Sequence, residues 1–211
     1  MTGSLELIIF DMDGVLIDVN SSWAWVHEYF GIDNQESVEA YKKGHIDDHE
    51  FIKRDINLWK KQKNDISRND IAEILKKAPV MKGFQECILK LSKDYKLAII
   101  SGGLKPLAKH IGREYFDKIM ANDVVEKDGV LTGDANIEVG LNEKGKVFDE
   151  LLDVLDVDKR KTAAVGNSQI DIPMLDKASK GIAFNPEDEK VKECADVVIE
   201  EKDLELLLSI I

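Results

Sequence analysis

The amino-acid sequence predicts an α/β protein: a doubly wound, mainly parallel sheet with a small helical block inserted after the first strand. Three observations lead there. Short apolar runs with β-branched residues recur at 7–10, 97–100, 118–121, 162–165, 181–184 and 195–199, which is how strands buried on both faces read. Helical patterns separate most of these runs, giving the alternation of βαβ units. Between about 18 and 79 the alternation stops and no convincing strand occurs.

Taken in order, Leu7-Ile8-Ile9-Phe10 is the first strand, and it runs into two carboxylates, Asp11 and Asp13. A buried strand does not end in acids unless something partners the charge. The interrupting block reads as helices started at Ser21 or Ser22, near Asn34, near Asp47 and at Ser67, where Ser67-Arg68-Asn69-Asp70 is a capping box with Asp in place of Glu. Pro79 closes the set, so residues 18–79 are expected to form a helical cap domain and residues 1–17 with 80–211 the core domain. The strand at 97–100 is followed by Ser101-Gly102-Gly103, then by Pro106, which suits a first helical turn. Lys127-Asp128-Gly129 between two short apolar runs predicts a hairpin over 124–131, decorating the rim of the core. Lys144 stands at the start of another helix. The strand at 162–165 runs into Gly166-Asn167-Ser168-Gln169-Ile170-Asp171, with Pro173 opening a further helix.

A chain of 211 residues with 44% hydrophobic content can bury a sizeable core, which excludes a disordered chain. No stretch approaches the roughly 18 consecutive apolar residues of a membrane span, and residues 1–6 lack the basic start and apolar centre of a secretory signal. A cytoplasmic protein with no membrane partner is expected. Cys87 and Cys194 stand far apart and outside any C-x-x-C pair, as reduced structural thiols do. The net charge of -12 excludes nucleic acid as the main partner, because a phosphate backbone demands a basic face. The same acidity sets a condition on an anionic substrate: a metal ion and a few placed cations must reverse the field locally.

Ligands of open α/β sheets bind in the crevice at the carboxyl ends of the strands. Asp11 and Asp13, two apart and followed by Gly14, can both be aimed there. Ser101, Gly102 and Gly103 offer a hydroxyl and backbone N–H groups at a helix start, an anion cradle. Lys144 can neutralise a phosphoryl oxygen or hold an aspartate ionised. Asn167 and Asp171 are hard oxygen donors of the kind Mg²⁺ accepts. Each piece alone is unspecific, since Asp-x-Asp can be a cap, Gly-Gly a tight turn and Lys144 a solvated charge. The joint order is specific, and it suits phosphoryl transfer through a carboxylate: one aspartate attacks phosphorus, and the second protonates the leaving oxygen and then activates water. Mg²⁺, Lys144 and the Ser101 cradle would carry the charge on the equatorial oxygens.

Asp11-Met12-Asp13-Gly14-Val15-Leu16, Ser101-Gly102-Gly103, Lys144-Gly145 and Gly166-Asn167-x-x-x-Asp171 resemble the motifs of the haloacid dehalogenase superfamily, over nearly the whole chain. Within it the chain is similar to the phosphoserine phosphatase-like branch, through the helical insertion, Ile100-Ser101-Gly102-Gly103 and the Asp128-to-Asp134 stretch DGVLTGD. The resemblance implies a Rossmann-like core with a cap and a Mg²⁺-dependent phosphatase working through an aspartyl-phosphate on a small phosphorylated metabolite. It further implies Asp11 as nucleophile and Asp13 as acid/base. Ser101 and Lys144 would hold the phosphate, and Asp11, the Asp13 backbone carbonyl and an aspartate of the fourth motif would hold the metal, the candidates here being Asn167 and Asp171.

Two departures bear on function. The family's fourth motif begins Gly-Asp, whereas this chain has Gly166-Asn167, which removes one negative charge and predicts weaker metal affinity. A cap glutamate that would receive a substrate amine is replaced by the neutral Asn20, with Val15 nearby. The cap instead offers Asn20, Trp23 and Arg54 as candidate specificity residues. Trp23 and Trp25, two apart, cannot share a helix face, so at least one of them only packs the cap. His45 and His49, four apart, invite a zinc site, but Asp47 starts a helix between them and no third ligand is at hand. A binding protein with weak or lost turnover and a phosphotransferase on the same scaffold are the alternatives.

Overall fold

A computed structural model describes residues 4–211; the first three residues of the expected core segment lie outside the described residues. Its strands are β1 (Leu7–Phe10), β2 (Lys96–Leu104), β3 (Lys118–Lys127), β4 (Val130–Asn136), β5 (Thr162–Gly166), β6 (Lys180–Phe184) and β7 (Val197–Ile199). They form one sheet in the order β4-β3-β2-β1-β5-β6-β7. Every neighbouring pair is parallel except β3 and β4. The helices are α1 (Ser22–Phe30), α2 (Gln35–Lys42), α3 (Asp48–Gln62), α4 (Arg68–Leu75), α5 (Phe84–Leu91), α6 (Lys105–His110), α7 (Lys144–Leu155), α8 (Ile172–Leu175) and α9 (Glu189–Cys194).

β1 is the axis of the molecule. Its alternating side chains divide between two cores, as the pleat requires: Ile8 and Phe10 join Val26, Ile56 and Trp59 of the inserted helices, while Leu7 and Ile9 join Phe148 and Leu151 of α7 and Met174 of α8. Burying each such side chain is worth about 1.5–3 kcal/mol. Because Phe10 is in register with Ile99 of β2 and Val165 of β5, whatever follows β1 emerges between the ends of those two strands.

The start signals of the inserted block are used as expected. Ser21 accepts from the Ala24 N–H and Asp47 from the Glu50 N–H, and Ser67 with Asp70 closes a reciprocal capping box. Asn34 holds the N-cap position of α2 without capping it, its amide being turned to Asp55. The block enters and leaves at one place, where the Asp18 N–H donates to the Pro79 carbonyl at 2.8 Å. Trp25 donates its indole N–H to the Ile74 carbonyl and so packs the helices against one another.

Several strand boundaries differ from expectation, β4 among them, which runs on to Asn136. β3 runs unbroken from Lys118 to Lys127 through Asn122 and Asp123. The buried Asn122 amide donates to the carbonyls of Gly102 and Val139 and accepts from the N–H groups of Glu138 and Val139, and Asp123 is gripped by both arms of Arg68. β2 continues past Ile100 through the Ser101-Gly102-Gly103 stretch, with a register shift before Leu104. β7 begins only at Val197, because Asp196 is spent on the Gly181 backbone. The hairpin turn is as expected, with positive φ at Asp128 and Gly129. It lies at the rim, β4 being the edge strand of the sheet, and it also packs on the inserted block, the Leu131 N–H donating to the Ile66 carbonyl and Lys60 to the Thr132 carbonyl.

Asn122 spends its whole hydrogen-bonding capacity on joining β3, the end of β2 and the segment leading to α7. Asn122→Leu leaves the Val139 carbonyl and the N–H groups of Glu138 and Val139 without this partner, while the Gly102 carbonyl keeps the Trp23 indole, and a loss of about 2–4 kcal/mol is expected in urea unfolding. An unchanged midpoint would refute this account.

Candidate active site

Asp11 leaves β1 with its N–H still donating to the Val165 carbonyl, so the sheet itself sets its backbone. Two residues on, Asp13 is fixed through Oδ2 alone, which accepts from both the backbone N–H and the hydroxyl of Ser22 at the start of α1. Between the aspartates and that helix the chain turns at Gly14, with φ of 78°. A methyl group there would come within 2.3 Å of the Asn167 amide, so only glycine lets the two loops meet.

Lys144, 3% exposed, stands 2.7 Å from Asp11 Oδ1 and 2.5 Å from Asp171 Oδ1. The contact with Asp171 is an aligned hydrogen bond, whereas the one with Asp11 is an ion pair without that alignment. The other oxygen of Asp171 accepts from the N–H groups of Asn167 and Ser168 and from the Ser168 hydroxyl. Asp171, expected among the metal ligands, is therefore committed to orienting Lys144 and the Gly166 loop. Three buried oxygens have no hydrogen-bond partner: Asp11 Oδ1, Asp13 Oδ1 and Asn167 Oδ1.

These groups line a cavity of about 240 Å³, with Ser101, Gly102, Gly103, Asn20 and Trp23. Trp23 is positioned by its indole N–H on the Gly102 carbonyl at 3.0 Å and by stacking on Trp59. The glycine cradle differs from expectation. The Gly103 N–H already donates to the Ser101 hydroxyl, and the Leu104 N–H donates to the Ser22 hydroxyl, so neither is turned to an anion. Arg54 does not reach the cavity; it pairs with Glu50 one turn back on α3. His45 and His49 share no helix face, since α3 starts between them, and among the described residues no three His, Cys, Asp or Glu side chains converge on a metal. Two participants lie outside the sequence analysis. Ser22 reads there only as a helix start, and Glu187, which lines the cavity beside the Asn167 amide, follows β6 in a stretch that carries no motif.

Burial dominates the electrostatics. It pushes Asp11 up to about 7, with Asp171 adding to the rise and Lys144 opposing it. Asp13 is raised by burial against the two bonds from Ser22. For Lys144 burial works against the charge, but Asp11 and Asp171 outweigh it and hold the lysine firmly protonated. Lys144 is the single lysine or arginine lining a cavity to which Asp11, Asp13 and Glu187 contribute carboxyl groups. A group of unpartnered hard oxygens among these carboxyl groups suits a divalent cation such as Mg²⁺. The site reaches three oxygen donors only by counting the Asn167 amide.

The model of the haloacid dehalogenase-like hydrolases matches residues 8–176. The chain is 28% identical to the phosphoserine phosphatase of Methanocaldococcus jannaschii over 98% of its own length and 97% of the relative's. It is 29% identical to that of Wolinella succinogenes over 97% and 99%. Among solved structures, a phospho-aspartyl intermediate analogue of phosphoserine phosphatase superposes with a TM-score of 0.79 at 28% identity, covering 99% of this chain and all of the other. A substrate-bound phosphoserine phosphatase complex gives 0.80 at 27%, covering 99% of both. The chain belongs to the haloacid dehalogenase-like hydrolases, in their phosphoserine phosphatase-like branch.

The raised Asp11 has a consequence for stability. An acid whose folded pKa lies above its unfolded value makes the metal-free protein lose stability as pH rises from about 4 to 7. Metal-free Asp11→Asn is expected to lose less stability than the parent between pH 4 and pH 8, because it lacks the titrating group. Calorimetry in chelator that shows the same pH dependence in both would overturn the electrostatic account.

Proposed function

We propose that the chain is a cytoplasmic Mg²⁺-dependent phosphatase that hydrolyses a small phosphomonoester through an aspartyl-phosphate. The observation that carries this reading is the convergence of Asp11, Asp13, Lys144, Ser101 and Asn167 on one cavity at the carboxyl end of the sheet, with the buried Asp13 Oδ1 and Asn167 Oδ1 unpartnered and Asp11 Oδ1 held only by the Lys144 ion pair. The relatives' names supply phosphoserine as one candidate substrate. The cytoplasmic setting is supported by the free thiols of Cys87 and Cys194. No described helix is long and apolar enough to cross a membrane. The helices of residues 18–79 serve in this reading as a cap domain that covers the reaction and excludes water.

In the first half-reaction an Asp11 carboxylate oxygen attacks phosphorus, the bond to the ester oxygen breaks, and Asp13 gives its proton to the departing alkoxide. In the second, water attacks phosphorus, loses a proton to Asp13, and the bond to Asp11 breaks to release inorganic phosphate. Asp13 is prepared for this: Ser22 anchors Oδ2, burial favours the protonated acid, and Oδ1 is left without a partner. Lys144 receives one non-bridging phosphoryl oxygen and the Ser101 hydroxyl another. Asp11, Asn167 and the Asp13 backbone carbonyl would hold Mg²⁺, which when bound stabilises ionised Asp11 and shares the charge of the phosphoryl oxygens. Asp171 positions Lys144.

A second reading, a binding protein with weak or lost turnover, is favoured by Asn167 alone. The two separate in a direct assay. Purified protein with Mg²⁺ is expected to release phosphate steadily from p-nitrophenyl phosphate, and chelator or Asp11→Asn to reduce the rate by about 10³-fold or more. A parent without turnover, or one indifferent to Asp11→Asn, would support the binding reading. Restoring the carboxylate in Asn167→Asp is expected to lower the half-saturating Mg²⁺ concentration by about tenfold, since ligand charge sets affinity for a hard cation. No change would count against Asn167 as a ligand.

A further inference from the structure

A second cavity, of about 290 Å³, adjoins the first and shares Ser21, Trp23, Gly102 and Leu141 with it. Its wall is largely apolar, with Phe51, Ile52 and Val139 among the contributors, yet it includes the carboxylates of Asp48 and Asp55. No lysine or arginine lines it, and Lys144 is the single basic side chain of the adjoining one, committed to Asp11 and Asp171. If phosphorus sits at Asp11, this cavity receives the other end of the ester.

Asp55 is 2% exposed and touches His27 Nε2 at 3.2 Å and the Asn34 amide at 3.2 Å. The His27 ring is held from two further sides: the indole N–H of Trp59 donates to Nδ1 at 3.1 Å, and the Asn34 amide nitrogen lies 3.3 Å from Nε2. An indole can only donate, so Nδ1 accepts and the ring N–H lies on Nε2, on the Asp55 side. The partners of the Asp55 carboxyl are thus an imidazole N–H and an amide, with no lysine or arginine beside it. Asp48, on the same wall, accepts from the Tyr41 hydroxyl and the Leu141 N–H, both neutral groups. A wall of aromatic rings and two carboxylates, without a base, attracts a positive charge on an apolar body and repels an anion.

We propose that the leaving group is a small amino alcohol, positively charged, with an apolar body and no carboxylate. This rests on the phosphatase reading and narrows it: Trp23 and Phe51 take the apolar body, Asp55 and Asp48 face the ammonium group, and nothing in the cavity balances the carboxylate that phosphoserine carries.

The test is kcat/KM with Mg²⁺ on three esters that differ by one group at a time: ethyl phosphate, 2-aminoethyl phosphate and phosphoserine. The amine is expected to raise kcat/KM by about tenfold and the added carboxylate to lower it again by about tenfold. In Asp55→Asn, or in Asp48→Asn where the former does not fold, the ratio of 2-aminoethyl to ethyl phosphate is expected to fall by about fivefold. A merely structural role would move both esters together and leave the ratio unchanged. Phosphoserine equal to or better than 2-aminoethyl phosphate, or ethyl phosphate equal to it, overturns the proposal while leaving the phosphatase reading in place. Absence of turnover on all three and on p-nitrophenyl phosphate would remove both.

Discussion

Lys144 is a lysine almost without access to water, and it persists there because Asp11 and Asp171 flank it at 2.7 and 2.5 Å. Taking an ammonium group out of water costs several kcal/mol, and only close opposite charges with good hydrogen bonds offset that. The three groups come from three places: Asp11 from the residue after β1, Asp171 from the loop after β5 and Lys144 from the first turn of α7. Asp171 can serve because its second oxygen is saturated by the Asn167 and Ser168 backbone and the Ser168 hydroxyl. The ion cluster therefore fixes how the two halves of the sheet's carboxyl edge face each other.

That cluster borders a cavity with more carboxyl groups than lysine or arginine side chains. Asp11 and Asp13 are both raised by burial, and the unpartnered oxygens lie where the excess is concentrated. The close approach of Gly14 to Asn167 brings the amide oxygen into the same group. A structure optimised for stability alone would not leave buried oxygens unpaired.

The other wall is built by hydrogen bonds. Asn122 ties the end of β2 to the segment before α7, Trp23 hangs from Gly102 against Trp59, and the Trp59–His27–Asp55 chain delivers a carboxyl group to the apolar cavity without a lysine or arginine beside it. The β3–β4 hairpin, reached by Arg68 through Asp123, holds the inserted helices over this wall. The polar cavity at Asp11 and the largely apolar one thus meet at Ser21, Trp23, Gly102 and Leu141.

Much of this was legible before any coordinates. Apolar periodicity marked the strands, because a parallel strand buried on both faces has no freedom to be polar. Ser21, Asp47 and Ser67 marked helix starts, and Asp128-Gly129 the hairpin, because caps and tight turns are local chemistry. Asp11, Asp13, Ser101, Lys144 and Asn167 could be singled out because each follows a strand or opens a helix, and strand ends share one edge. Their common cavity follows from that topology. Local sequence could not tell that Asn122 lies inside a strand, that Asp171 is spent on Lys144, that the Gly103 N–H is already taken, or that Arg54 turns back to Glu50. Sequence by itself determined which elements form and which side chains stand at their ends, since those depend on neighbours a few residues away; tertiary structure decided which of those side chains are already satisfied, because Asn122 and Lys144 find partners far along the chain and packing selects which of the near partners Gly103 and Arg54 use.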